Sequence, residues 1–340
     1  MGFTSQAGQV LLRSQAVQGT FQADIATVGV SVRLRSGGLG TNRDLLITDP
    51  EIGGGRDVTD ALLGAASWGG DFEFYARVDA LATLLKACLG TAAAPVTATG
   101  VTTHTITPVD SGTLPYLSIE ENLGGTLETY NYTDAIVNTL HLESEANGYL
   151  MGTAGIIAAK QIAGATKTAS PTKVDTTSLF VGTNITVTYN AVSLPAKSFS
   201  LDINNNVAAD DFRLGSFFVG DLTAKRREVT ASFSIRESSS ALWRQATYGT
   251  SAATGVGGVT TKSPLVITCS TYDDIPGGTP PTKYSIVITI PNFAFTPYTL
   301  AASGDDIIES DLSGQALRPS PGTPIMTTVL KTGATGATIA

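Results

Sequence analysis

The chain has 340 residues, 42% of them apolar and 15% charged, which excludes global disorder and exceeds what a single hydrophobic core usually serves; two domains of about 150 residues are expected. Its formal net charge of −8, from 29 acidic and 21 basic residues, argues against a tight electrostatic grip on nucleic acid. No apolar run approaches the ~18 residues of a membrane-spanning helix and no secretory h-region opens the sequence, so synthesis in the cytosol with reduced thiols is the expectation.

Thirty-six glycines among many Thr and Ser residues point to β structure with frequent turns. Residues 1–20 are polar and weakly periodic and read as a terminal arm, as do 319–340. Asp49, Glu51 and Asp57 in DPEIGGGRD lack the spacing of a calcium loop and read as a solvated acidic stretch. In GGDFEFYAR, Phe72, Phe74 and Ala76 alternate with Asp71, Glu73 and Tyr75, the period of a strand with one wet face. A helix follows in VDALATLLKACLG, where Leu81, Leu84, Leu85 and Cys88 recur at helical spacing, Asp79 favours the first turn and Gly90 stops it.

Residues 134–158 read as a hairpin turning at Asn147 and Gly148, with Ile136, Asn138, Leu140 and Leu142 sharing a face of its first strand. KTASPTK at 167–173 has the composition of a linker, which places one domain at 1–166 and a second at 174–340. Beyond it, SFSLDIN alternates through Phe199, Leu201 and Ile203. EVTASFSIR places Val229, Ala231, Phe233 and Ile235 inward, with Thr230 and Ser232 outward. A shorter helix is expected next, with Ser238 as cap, Leu242, Trp243 and Ala246 as its apolar stripe and Gly249 as its stop. GVGGVTTKS at 255–263 reads as a glycine loop, and KYSIVITI ends at Pro291 as an edge strand or a strand end. A last acidic stretch, SGDDIIESD, holds Asp305, Asp306, Glu309 and Asp311.

The two strand–helix units coincide at a constant offset of 159 positions. Phe74 aligns with Phe233, Arg77 with Arg236, Ala82 with Ala241, Ala87 with Ala246 and Gly90 with Gly249. Strand phase agrees across that offset, and a one-residue slip would turn every side chain over, so the agreement is physical as well as literal.

Chemistry is almost absent. His104 and His141 lack partners for a zinc set, and His141 reads as a hydrogen-bonded strand residue. Cys88 and Cys269 stand far apart, Cys88 as a buried free thiol. There is no G-x-S-x-G elbow and no phosphate loop, since Thr261 precedes Lys262 where glycine is needed. No catalytic, cofactor or metal site is expected, and the chain does not read as an enzyme.

LPYLSIEENLGGTLETYNYTDAIVNTLHLESEANGYLMGTAGIIA at 114–158, with DFEFYARVDALATLLKACLG before it, resembles the tail tube proteins of long-tailed bacteriophages. The pattern is a strand, one short helix, a strand of the type Y-x-D/G-x-x-V-x-x-L, here Tyr132, Asp134, Val137 and Leu140, and a hairpin through Gly148 into GTAG at 152–155. The second half keeps the strand–helix unit at 227–250 and a strand at 284–290 but departs at Pro291 and around 272–283. It is either a duplicated tube domain, which the 159 offset favours, or a different β domain on the outside.

The resemblance implies a mainly β fold of two tandem β-sandwich, tail-tube-like domains, each with a short flanking helix, contributing strands to a ring-closed inner β-barrel. It implies a structural virion protein of the tail, made in the host cytoplasm. Its partners would be itself, other tail proteins such as the tape measure and tail terminator, and double-stranded DNA that passes unbound, with no cofactor and no membrane. A duplicated chain would supply two of six domains, so three chains would close one ring. An acidic or hydroxyl-lined lumen lets DNA slide, and Asp71, Glu73, Thr230 and Ser232 are the lumen candidates; Leu81, Leu84 and Trp243 are the helix-core candidates. The competing class is an exported β-rich coat or adhesin-type protein, for which an export signal is expected.

Overall fold

The computed structural model describes residues 4–53, 56–58, 60–300 and 307–333. Asp305, Asp306 and the end of the 319–340 arm lie outside the described residues. Among the described residues the chain is mainly β, with three short α-helices at Ile25–Val28, Val78–Leu89 and Ala241–Tyr248.

The hub of the fold is the strand Thr129–Glu145. It pairs with Met151–Ile162 along most of its length, with Leu117–Asn122 at its start and with Ala196–Asn204 at its end, always antiparallel. Strand neighbours in the first half run 34–47, 61–75, 151–162, 129–145, 117–122, 9–14 and 30–32. Strand neighbours in the second half run 196–204, 228–236, 309–316, 283–295, 263–274, 185–189 and 192–193. The two successions match element for element. They join where Thr139–Glu145 meets Ser198–Asn204, so both halves share one uninterrupted sheet.

Twenty strands of this network are joined by nineteen pairings, one fewer than any closed cycle needs. Among the described residues a single chain therefore closes no barrel and leaves sheet edges open. One hydrophobic core runs beneath both halves, from Phe72, Phe74, Leu140 and Leu142 to Leu201, Ile203, Phe233 and Phe293.

Several local expectations are corrected. Residues 9–14 are not an arm: the apolar triplet Val10–Leu11–Leu12 is buried in a strand held between 30–32 and 117–122. Likewise Thr327–Gly333 is a strand, buried at Thr328, Leu330 and Thr332, and it ties 101–106 of the first half to 285–289 of the second. A bulge between Val137 and Thr139 splits the expected face. Val137, Leu140 and Leu142 enter the main core, whereas Ile136 joins Leu114, Ala159, Val219 and Leu222 in a separate cluster. Pro291 neither ends its strand nor marks an edge. It sits where the strand's neighbour changes from 327–331 to 314–316 and the pairing to 263–265 shifts, so its missing N–H costs the ladder little.

Of the two helices of the repeated unit, the first, Val78–Leu89, buries ten of its twelve residues, including Leu81 and Leu84, and stops at Gly90 with φ 110°; the second is Ala241–Tyr248. Neither Arg77 at its cap nor Asp79 satisfies its N-terminal amides. That role falls to the segment after the linker: Asp175 accepts from the Ala80 amide at 2.8 Å and Thr177 Oγ1 from the Val78 amide at 3.3 Å. The second helix buries only Gln245 and Ala246. Trp243, expected in its core, is half-buried, with its indole donating to the Tyr298 carbonyl at 3.0 Å.

Candidate functional site

The four residues anticipated on wet faces lie on one surface. Strand pairing carries a row of side chains across the sheet from Ser36 to Glu73, Thr153, His141, Asp202, Thr230 and Gln315. A parallel row runs from Asp71 through Gly155, Thr139 and Asn204 to Glu228. Another joins Met151, Glu143, Ser200, Ser232 and Ser313. Directly opposed residues in a ladder share a face, so Asp71, Glu73, Thr230 and Ser232 all stand on the side away from the core. The opposite side carries Phe72, Phe74, Leu140, Leu142, Leu201 and Phe233, all buried.

This face is strongly acidic. Asp71, Glu73, Glu143, Glu145, Asp202, Glu228, Glu309 and Asp311 occupy it, while Arg236 is the basic residue at a regular strand position and Arg35 and Lys197 stand at bulges beside it. Lys197 is paired with Glu309, and Glu73 accepts from the Ser36 hydroxyl. The centre of the face is the join between halves. There His141 Nδ1 lies 2.6 Å from an Asp202 oxygen and Nε2 lies 3.3 Å from Glu143. The hydrogen bond to Asp202 raises the imidazole above its ordinary value against the opposing effect of partial burial, and Glu143 adds to it.

Glycines make the sheet thin where it must be. A Cβ on Gly152 would lie 2.5 Å from the Phe74 ring, and one on Gly314 would lie 2.5 Å from the Phe293 ring. The two glycines are not equivalent in the repeat: Gly152 faces Phe74, whereas Leu312 faces Phe233 and Gly314 lies two positions on, facing Ala231. The tyrosine-containing motif proves structural. Tyr132 is fully buried, donating to the Leu39 carbonyl at 3.2 Å and accepting from Gln161 at 3.0 Å. Asp134 takes a positive φ of 57° at an irregularity and accepts from Gln15 and the Gly19 amide, both at 2.6 Å.

Sequence reasoning missed Asn205 and the partners of His141. Asn205 is buried, donates to the carbonyls of Cys88 at 2.9 Å and Val137 at 3.1 Å, and accepts from Arg227 at 3.0 Å, so it stitches the first helix to the second half. Both cysteines are buried and free, and burial pushes each thiol up to about 12. Among the described residues no group of three or more His, Cys, Asp or Glu side chains is placed to hold a metal ion. No helix among them is long and apolar enough to cross a membrane.

The geometry is that of a broad, acidic sheet face on a mainly β scaffold with open edges, indented by a cavity of about 500 Å³ lined by Tyr75, Glu143, Met151, Ser200, Ser232 and Asp311. No curated protein matches the chain. Residues 5–316 match the family described as phage tail tube protein, and the chain belongs to that family.

Proposed function

We propose that copies of this chain associate side by side, three to a ring, and stack head to tail into the tail tube, with the acidic sheet face lining the conduit through which the genome leaves the virion. In this reading 1–166 and 174–340 are duplicated tube domains joined by 167–173, and the role is structural, without a catalytic step. Asp71, Glu73, Thr230 and Ser232 point into the lumen. The tape measure and the tail terminator are the neighbouring tail components.

The observation that carries the reading is the shared sheet. It has eight strands in the order 34–47, 61–75, 151–162, 129–145, 196–204, 228–236, 309–316 and 283–295, polar on one side and core on the other. Three such sheets make a cylinder of about 24 strands, wider than the 16–18-stranded barrels that already leave an aqueous channel. At about 4.8 Å between strands its backbone would be on the order of 40 Å across. Closure removes the open edges, and ring-on-ring repetition extends the closure along an axis. Carboxylates on the inner wall repel phosphates and offer no cations to exchange for the DNA's condensed counterions, so a duplex slides past without adhering.

Negative-stain microscopy and native mass spectrometry of the purified protein test this. Hollow tubes or rings with three copies and pseudo-sixfold density are expected. Six full-length copies per ring would overturn the duplication, and monodisperse monomers at high concentration would overturn the tube.

A further inference from the structure

The join between the two halves is a template for the joint between two chains. In the second half the strand Ala196–Asn204 pairs on one side with 228–236 and on the other with Thr139–Glu145 of the first half. Its counterpart in the first half is 34–40. Phe199 faces Phe233 as Leu34 faces Phe74, Leu201 faces Ala231 as Gly37 faces Phe72, and Phe233/Phe74 and Ala231/Phe72 are related by the offset of 159. Among the described residues, no strand lies along the outer edge of 34–40.

Two features mark that edge as vacant in the single chain. At the internal join, Ser144, Glu145 and Ala146 reach over the edge beside Ile185–Val187 and Ala196–Phe199, leaving a cavity of about 120 Å³. The equivalent groove of the first half, beside Leu34 and Gly37 and floored by Gln9, Val10, Ser31 and Val32, has a volume of about 510 Å³. Gln9, in that groove, holds a buried amide nitrogen without a hydrogen-bond partner. Side chains also stand in for a missing strand. The Leu39 amide donates to Glu121 at 3.4 Å and its carbonyl accepts from the Tyr132 hydroxyl at 3.2 Å, long bonds from groups that a backbone ladder would replace.

The occupant is identified by the same correspondence. Leu140 faces Ala154, which faces Phe72; Phe295 faces Gly314, which faces Ala231. Phe295 therefore stands where Leu140 does, and 294–300 stand where 139–145 do. In the first half that stretch builds the join. In the second, Thr296 donates one more ladder bond to Ser313 and the segment then leaves the sheet, with the Tyr298 carbonyl bonded to Trp243.

We propose that residues 294–300 of one chain add antiparallel to the edge 33–40 of the next copy, with Ala294 opposite Gly40, as Thr139 lies opposite Asn204 within the chain. The proposal rests on the tube reading and specifies its lateral contact. Gly40 and Ala294 both lie on the acidic side of the sheet, opposite Gly69 and Gln315 respectively, and a Cβ on Gly40 meets nothing nearer than 3.7 Å. Cysteines there fit cross-strand disulfide geometry, and the native thiols are buried and do not compete.

The test is oxidation of the double variant Gly40→Cys/Ala294→Cys, with microscopy on the same samples. A ladder on non-reducing gels that ends at the trimer, at least ten-fold above either single variant, is expected. Thr139→Cys/Asn204→Cys should form the corresponding bridge within one chain, which calibrates the geometry. Should the double variant assemble poorly, mixing the two single variants gives the same reading as a cross-linked dimer. Tubes without cross-links, or a bridge confined to one chain, overturn this edge while leaving the tube reading intact; failure of the wild type to form rings or tubes overturns that reading itself.

Discussion

The two halves repeat one succession of strands but use their helices differently. Val78–Leu89 is sunk in the molecule, covered by the hairpin 96–108, by the C-terminal strand 327–333 and by the segment carrying Asp175 and Thr177, with Asn205 of the second half bonded to its last turn. Ala241–Tyr248 is less covered: only Gln245 and Ala246 are buried, Leu242 packs half-buried against the core, and Trp243 is tied to the Tyr298 carbonyl. Equivalent elements have thus taken different duties: the first helix is the joint that locks half to half, and the second is a flank. Each prediction below tries to break or sharpen that contrast.

The largest difference should come from truncating the two apolar stripes. Leu84→Ala removes a side chain that is 1% exposed in a fully covered helix and should cost about 2–5 kcal/mol. Leu242→Ala, in the half-buried stripe, should cost under about 1.5 kcal/mol, since part of its surface already meets water. Denaturant unfolding compares them directly. Equal costs would mean that the second helix is a core element too, and the contrast would fail.

A second difference is electrostatic. Burial, with Asp175 adding to it and Lys173 opposing it, pushes the Asp79 carboxyl up to about 6. An acid whose folded value lies above its unfolded one binds more protons when folded, so the native state is penalised as pH rises from about 4 through about 6. Asp79→Asn should therefore stabilise the chain by about 1–3 kcal/mol above pH 6, and the gain should vanish below about pH 4. The second helix opens on Ser238, Ser239 and Ser240, so changes there should show no such pH dependence. Melting temperatures of wild type and variant across pH 3.5–8 decide it.

What could be read from the sequence follows the range of the interactions. Period-two and helical patterns are local, and they place the strand–helix–glycine units, Leu81 and Leu84 on the apolar stripe of the helix, and Asp71 with Glu73, and Thr230 with Ser232, each on the wet face of its own strand. Extra residues were invisible to periodicity: the bulge at Asn138 reverses the phase of Ile136 relative to Leu140. Short strands were lost among polar flanks, as with Val10–Leu12, because three apolar residues make a strand only when neighbours from distant sequence cover both edges. The pairing of 139–145 with 198–204, which makes one surface of two halves, is a choice of partner across some 60 residues, and no local pattern encodes it. Trp243 misled because an aromatic at helical spacing suits a half-buried flank as well as a core.

The smallest expected effect on stability gives the sharpest test of function. The halves differ in what they present on the shared face, carboxylates at Asp71 and Glu73 against hydroxyls at Thr230 and Ser232. Of these, Glu73 is half-buried and the others are exposed, so paired lysine substitutions in either half should stay near ~0.5 kcal/mol of wild type. Both pairs nevertheless stand on one continuous sheet face, and if that face lines the conduit they surround the same duplex. Asp71→Lys/Glu73→Lys changes the wall charge by four per chain and Thr230→Lys/Ser232→Lys by two, repeated in every ring. Each new cation that meets a phosphate releases counterions, so adhesion should grow with charge and weaken steeply with salt. Particles carrying either pair should assemble tails of normal appearance and eject slowly at low salt, the first pair more so, with recovery as salt rises. A defect confined to the first pair would separate the two halves and place the second outside the conduit. Normal ejection with both, in particles whose tails assemble, would put the whole face on the exterior.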